Sequence, residues 1–224
     1  MAVDSRDSAP DAPTRKRRHS TGESTRVLLM ETAERLFAVH GVEGVTLREI
    51  QLEAGQSNSS VIAYHFGSKT GLVQALIRHR HVELDERRVE VLAEMLDDQQ
   101  PHDPRAVVWL IVRPLIGSIR DGEMFVPFLA RLSENPRANT DYWPPDVQPW
   151  GVAGVEAVID EALTDLPRRV RRGRSFQLYN SVLNLLGEHA RSRQEISEAQ
   201  LHNYVDGWAA LLAAPVSAET LALL

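Results

Sequence analysis

The sequence predicts an all-α protein, and three observations carry that prediction. Apolar residues recur at spacings of three and four through most of the chain. Val, Ile and Thr alternate nowhere with period two over the length of a strand. Gly and Pro fall between the apolar stripes, where helices end. The chain has 224 residues, enough for one large domain or two small ones. At 43% hydrophobic and 25% charged its composition is that of an ordinary globular protein.

Residues 1–22 are rich in Asp, Ser, Pro, Arg and Thr and read as a disordered basic arm. The arm ends in Arg15, Lys16, Arg17 and Arg18, either a solvated charge run or a group of cations for nucleic-acid phosphates. From Ser24, a candidate N-cap, to His40 the stripe Leu29, Ala33, Leu36 and Phe37 predicts a helix. Gly41 and Gly44 bracket a turn. Thr46 with Glu49 three residues on is a capping-box pattern, opening a short helix that Gly55 stops. Ser57 or Asn58 then caps a third helix through Phe66, and a long fourth runs from Lys69 to about Leu96. Further helices are expected from Pro101 or Pro104 to Arg120, from Glu123 to Glu134 and from Val152 to Leu163. The last two run from Pro167 to Arg191 and from Ser197 to Ala213. The four prolines of residues 135–150 mark a loop.

Two short helices joined by a glycine turn form a helix-turn-helix. This sets domain boundaries at 23–70 for that unit and 71–224 for a larger helical one. The second helix of such a unit enters a major groove, with its N-terminal residues at base edges. Ser57, Asn58, Ser59 and Ser60 fall there, and their short hydroxyl and amide groups suit bases or phosphates. Val61 and Ile62 are placed to hold the inner face against Leu36 and Ile50.

The charge is divided in the same sense. The net charge is -6, yet residues 1–80 hold 11 Lys/Arg against 9 Asp/Glu, and residues 81–224 hold 14 against 22. An acidic chain with a locally positive N-terminal part is expected to use that part on nucleic acid. The absence of cysteine excludes disulfides and thiolate metal sites. No run approaches the ~18 apolar residues of a membrane span, and the N-terminus shows no apolar signal segment. A cytoplasmic protein is the expectation. There is no Gly-rich phosphate loop and no Gly-x-Ser-x-Gly elbow. His79, His81 and Glu83 are the densest metal-like group, but only His79 and Glu83 share a helix face, so neither an enzyme nor a cofactor or metal is expected.

Residues 25–72 resemble the N-terminal domain of TetR-family repressors. The likeness rests on Leu36-Phe37 before Gly41, on Thr46, on Ala54-Gly55, on Tyr64-His65-Phe66, and on Ser68-Lys69 with Leu72. The chain departs from the commoner pattern at Gln56, Ser59 and Ile62-Ala63, and Gly55 to Phe66 is one residue longer than usual. That leaves open which of Gln56, Ser57, Asn58, Ser59 and Ser60 reads a base. The resemblance implies backbone contacts from Tyr64 and His65. Lys69, at a helix start, suits a phosphate, as do Thr46 and Arg48 and, in this context, Arg17 and Arg18.

For the remainder the resemblance implies a small-molecule pocket and a homodimer. Trp109, Phe125, Phe128, Phe176 and Tyr179 either line such a pocket or fill a helical core. Arg113 and His189 either orient a ligand or are satisfied by a neighbour. The stripe of Val182, Leu183 and Leu186 and that of Leu201, Val205, Trp208 and Leu212 are the expected dimer interface, with a core role as the other reading. The function expected is a ligand-responsive regulator, a repressor on a near-palindromic double-stranded DNA operator, released by a small apolar effector. The alternatives are a ligand-independent DNA-binding helical protein and an activator of the same fold.

Overall fold

The computed structural model describes residues 15–97, 103–135, 137–147 and 153–224. Its elements are α1 (Arg15–His40), α2 (Leu47–Glu53), α3 (Val61–Phe66), α4 (Lys69–Asp97), α5 (Pro104–Arg120) and α6 (Phe125–Ser133). They continue with α7 (Ala138–Asp141), α8 (Ala153–Ala162), α9 (Arg168–Arg191), α10 (Glu198–Ala213) and α11 (Ala218–Ala222). Among the described residues there is no strand, and no helix is long and apolar enough to cross a membrane.

The expected punctuation operates at most boundaries. Thr46 caps α2 with both halves of the capping box in place. Asp103 caps α5 by accepting from the Arg105 N–H, and Pro104 occupies the first turn, where no N–H is needed. Ser197 caps α10 and Ser217 caps α11. Helices α1, α7 and α11 depart from the expectation. Helix α1 begins at Arg15, not Ser24, so the backbone is already helical where composition predicts a disordered arm through residue 22. The lone Gly22 is too weak a breaker to stop it. Residues 1–14, the side chains of Arg15 to Arg18, Pro101 and Trp150 lie outside the described residues. The proline-rich stretch contains the single turn α7, and α11 follows the last expected helix.

Helix α1 packs on α6, and α6 lies on α9. Helix α5 is held between α4 and α10. The α6–α9 approach is close: a Cβ on Gly187 would stand 2.8 Å from the Ala130 Cβ. This arrangement puts the two apolar stripes, expected at a dimer interface or in a core, inside the subunit. Val182, Leu183, Leu186, Leu201, Val205, Trp208 and Leu212 are all buried within the subunit. An apolar stripe must be covered, and here α5 and α6 of the same chain cover both stripes.

One carboxylate crosses between the first helix and the rest. Glu34 of α1 is 2% exposed. It accepts from Arg80 Nε of α4 at 2.6 Å and from the Met124 N–H at 2.7 Å, just before α6. Arg80 also meets Glu83 (2.8 Å) and Glu123 (3.2 Å). Burial raises the Glu34 pKa, against the pull of Arg80. Burial alone would lower Arg80, but its bonds to Glu34 and Glu83 and the charges of Glu34 and Glu123 hold it above its ordinary value. Both Glu34 oxygens accept, one from Arg80 Nε and the other from Arg80 Nη2 and the Met124 N–H, the geometry of a carboxylate held by a guanidinium.

Two residues further along α4, His81 is 4% exposed, and neither ring nitrogen has a hydrogen-bond partner. It stands edge-on to Phe125 and Trp143. Burial lowers its pKa from 6.5 to about 4, helped by the charge of Arg88 and opposed by Asp85. The unfolded state then binds one more proton between those two values. Stability is full above pH 6.5 and falls as the pH drops towards 4, with this histidine contributing about 3 kcal/mol of the loss. In His81→Leu that contribution disappears. Urea unfolding of both proteins from neutral to acid pH checks it: the variant should gain about 3 kcal/mol relative to the parent on acidification to pH 4, and a pH-independent difference would refute the assignment.

Candidate nucleic-acid interface

The helix-turn-helix is built from local bonds that can be followed residue by residue. The Thr46 N–H donates to Glu49 Oε2 at 2.6 Å, and Thr46 Oγ1 accepts from the Glu49 N–H at 3.2 Å. The Thr46 backbone N–H, then its hydroxyl, hold the Glu49 carboxyl below the usual carboxylate range, with smaller help from His40 and Lys69. Lys69 is thus electrostatically close to the start of α2. After α2 the chain turns at Gly55, which has φ +65. Gln51 Nε2 donates across the turn to the Gln56 carbonyl, and Gln56 Nε2 donates back to the Ala54 carbonyl.

The third helix starts later than expected. Its N-cap is Ser60, and α3 runs only from Val61 to Phe66. Ser57, Asn58, Ser59 and Ser60 form an exposed turn ahead of it. The reason is Asn58: its Oδ1 accepts from the Ser60 N–H at 3.0 Å, and its carbonyl accepts from the Val61 N–H. Short polar side chains compete for the backbone in this way and delay a helix. This turn accommodates the extra residue between Gly55 and Phe66.

Val61 and Ile62 are buried on the inner face with Ile50, as expected. On the outer side Tyr64 is 83% exposed. Its ring meets that of half-buried His65 edge-on at 5.0 Å. Phe66 packs against the core, with the Arg26 guanidinium over its ring. Arg48, Ser57 and Ser59 share one cleft between α2 and α3. Ser68 Oγ then accepts from the Gly71 N–H, capping the first turn of α4, where Lys69 sits. Gly71, which sequence reasoning passed over, is required by packing: a Cβ there would stand 2.0 Å from the Phe66 carbonyl oxygen. The site residues Thr46, Arg48, Ser57 to Ser60, Tyr64, His65 and Lys69 thus belong to one structural unit. Gln56 belongs to it as a brace of the turn, its amide engaged inward.

The seven candidate ligand residues are not brought together. Phe125 and Phe128 are fully buried core, their tilted rings 5.9 Å apart between centroids. Phe176 is 62% exposed. Arg113 lies over Trp109 and pairs with Glu94 at 2.6 Å, both lining a small surface cleft. Tyr179 is partly buried against the core. His189 bonds Tyr204 in a different cavity. Burial explains the first pair and local ion pairing the next. His79 and Glu83 do meet at 3.6 Å, with His81 turned into the core. Among the described residues no three His, Cys, Asp or Glu are grouped to hold a metal.

A helix-turn-helix with an exposed polar turn, and a lysine at the next helix start, defines the class of a DNA-binding regulator domain. Residues 29–76 match the family model for bacterial regulatory proteins of the tetR family. Those residues run from the second half of α1 to the start of α4, and over them the chain is similar to that family. It is 34% identical over 110 residues to the HTH-type transcriptional repressor AcnR of Corynebacterium glutamicum, covering 47% of this chain and 50% of that one. It is 35% identical over 95 residues to the AcnR of Corynebacterium efficiens, covering 40% and 47%. The chain spans about half the length of the curated relatives it matches. It also aligns with a TetR-family transcriptional regulator from Pectobacterium atrosepticum at 21% identity and TM-score 0.45, over 89% of this chain and 94% of that one. A gamma-butyrolactone receptor, an ArpA-like protein, aligns at 23% identity and the same TM-score of 0.45, over 87% and 100%.

The two turn glycines separate two kinds of constraint. Gly55→Ala meets nothing within 4 Å, so only the left-handed backbone opposes it, at a cost of about 1 kcal/mol. Gly71→Ala collides with backbone and must move α4 away from α3. Urea unfolding should therefore rank Gly71→Ala as clearly the less stable, and the reverse order would sink the packing argument.

Proposed function

We propose that this protein is a ligand-responsive transcriptional repressor that binds a near-palindromic DNA operator as a homodimer in the cytoplasm. The observation that carries the reading is the exposed Ser57–Ser60 turn and exposed Tyr64, ahead of Lys69 at the start of α4, held by the buried face of Ile50, Val61 and Ile62. Free N–H groups at a helix start and a lysine ammonium suit a phosphate. Exposed hydroxyl, amide and phenol groups one helix away suit base edges and sugar-phosphate. The AcnR relatives are named as repressors, which favours repression over activation.

The dimer reading moves to another surface. With their apolar stripes used inside the subunit, α9 and α10 leave outward faces that carry Phe176, Gln177 and Asn184, and Asn203, Gly207 and Ala210. A second copy related by a two-fold axis would use these faces and present two recognition helices to half-sites about one DNA turn apart. A small molecule that favours a different spacing of those helices lowers operator affinity by its coupling free energy.

Footprinting the purified protein on DNA upstream of its own gene tests the core of this reading and yields the operator. On that operator and on random duplex, Lys69→Ala should weaken binding alike and reduce the slope of log affinity against log salt by about 0.9. Ser59→Ala, which lies in the α2–α3 cleft, should change the preference between the two duplexes. Equal losses on both for Ser59→Ala would remove it from base recognition, and no footprint at all would sink the operator reading.

A further inference from the structure

A groove of about 850 Å³ lies at the junction of α1 with the C-terminal helices. Four arginines line it, Arg35, Arg120, Arg191 and Arg193, against two carboxylates, Glu123 and Glu195. Arg120 is paired with Glu198 and Arg191 with Glu188, which leaves a local cation excess from Arg35 and Arg193 in a chain of net charge -6. Glu123 does not offset it. Its oxygens are engaged by Ser118 (2.5 Å), Arg80 (3.2 Å) and Arg87 (3.2 Å). The groove also has apolar wall, in Ile116, Ile119, Met124 and Ile196.

Two donors on its inner side lack partners. Arg191 Nη1 is buried with no hydrogen bond, while Nη2 pairs with Glu188. His189 Nδ1 is likewise buried and unbonded. Its protonation follows from the neighbours. Gln200 Nε2 donates to the Tyr204 oxygen at 2.7 Å, leaving the Tyr204 O–H to donate to His189 Nε2 at 3.1 Å. The ring proton then sits on Nδ1. Buried donors without acceptors call for a group that supplies one.

Arg193 adds an independent sign. It occupies the position after the cap of α9, with φ +53. Gln194 N–H donates to the His189 carbonyl and Arg193 N–H to the Ala190 carbonyl, the helix ending that glycine ordinarily makes. The other positive-φ residues described, Gly41, Gly55, Gly67 and Gly122, are all glycines. An arginine is held there at a backbone cost, with its side chain on the groove.

We propose that this groove binds an amphipathic organic anion, with a carboxylate taken by Arg191 and Arg193 and an aliphatic body lying along Ile116, Ile119 and Ile196. Resting on the effector-responsive reading above, we assign this groove as the effector site. Arg35 belongs to α1 of the DNA-binding unit, and Glu123 belongs to the buried ion network that joins α1 to α4. A ligand here touches both.

The probes are straight-chain carboxylates from butanoate to decanoate, with the alcohols of the same lengths as uncharged controls. Calorimetry on the DNA-free full chain measures binding. At least one carboxylate should bind at millimolar concentration or tighter, its alcohol should not, and Arg193→Gly should weaken it about tenfold or more. Arg193→Gly relieves the backbone and should melt no lower than the parent, so loss of binding is not loss of fold. Arg191→Met serves as the second variant with the same expectation. No binding by any carboxylate, equal binding by the alcohols, or binding indifferent to both substitutions overturns the site. Operator binding is then measured with and without the carboxylate that binds. Release supports the effector role. Binding that leaves operator affinity unchanged overturns that role while the anion site stands.

Discussion

The burial of Glu34 is the constraint on which the arrangement of this molecule depends. An ionised carboxylate at 2% exposure needs several donors of good geometry, because its desolvation cost is several kcal/mol. The donors come from separate parts of the chain: Arg80 from α4 and the Met124 N–H from the turn before α6. Arg80 in turn needs Glu123, and Glu123 draws in Arg87 and Ser118. Each group is satisfied only if the others are in place. The network therefore sets how α1 sits on α4 and on the α5–α6 turn, which is a statement about specificity of docking more than about net stability.

Helix α4 carries that setting to the helix-turn-helix. It is 29 residues long, or about 43 Å at 1.5 Å per residue. Lys69 lies at one end, and Arg80 lies three turns along it. The contact between Gly71 and the Phe66 carbonyl leaves no room between α3 and α4. A tilt of α4 about the Glu34 network is thus passed to Tyr64 without slack. A second tie limits such a tilt. Arg78 of α4 makes a bidentate pair with Asp146, and the Tyr142 hydroxyl donates to Glu43 in the α1–α2 turn. Trp143, between those two ties, stands edge-on to His81. The 137–147 segment is strapped to the DNA-binding unit at two points and rests on α4 between them.

What could be read from the sequence follows a physical line. Helix limits set by local chemistry were legible: the Thr46–Glu49 capping box, Gly55 and Ser197 act on residues within one turn. So was the inner face of α3, because Val61 and Ile62 have no polar alternative. The later start of α3 was not, since Asn58 offers the backbone two competing bonds and only geometry chooses between them. The dimer stripes show the limit of periodicity. It tells that Val182, Leu186, Val205 and Trp208 must be covered, and cannot tell by which chain. Aromatic content has the same limit at Phe125 and Phe128, where pocket and core read alike in sequence and the structure buries both. The Glu34 network was invisible because charged residues at helical spacing read as a solvated face until a partner forty-six positions away is brought beside them.

The position of the groove matters because of the energies involved. Coupling between an effector and DNA is typically about 1–3 kcal/mol. A hydrogen bond to a charged group contributes about 1.5–3 kcal/mol. Exchange of a single partner within the Arg80, Arg87 and Glu123 cluster is therefore enough to carry the whole effect, and no refolding is required. Glu123 is shared between the two arginines and the Ser118 hydroxyl, so it can give up one donor and keep others. Glu34, with its two donors and near-complete burial, has no such freedom. The network thus has one rigid end, facing α1, and one adaptable end, facing the groove. An anion bound in the proposed groove would meet the adaptable end, and α4 connects that end to α3.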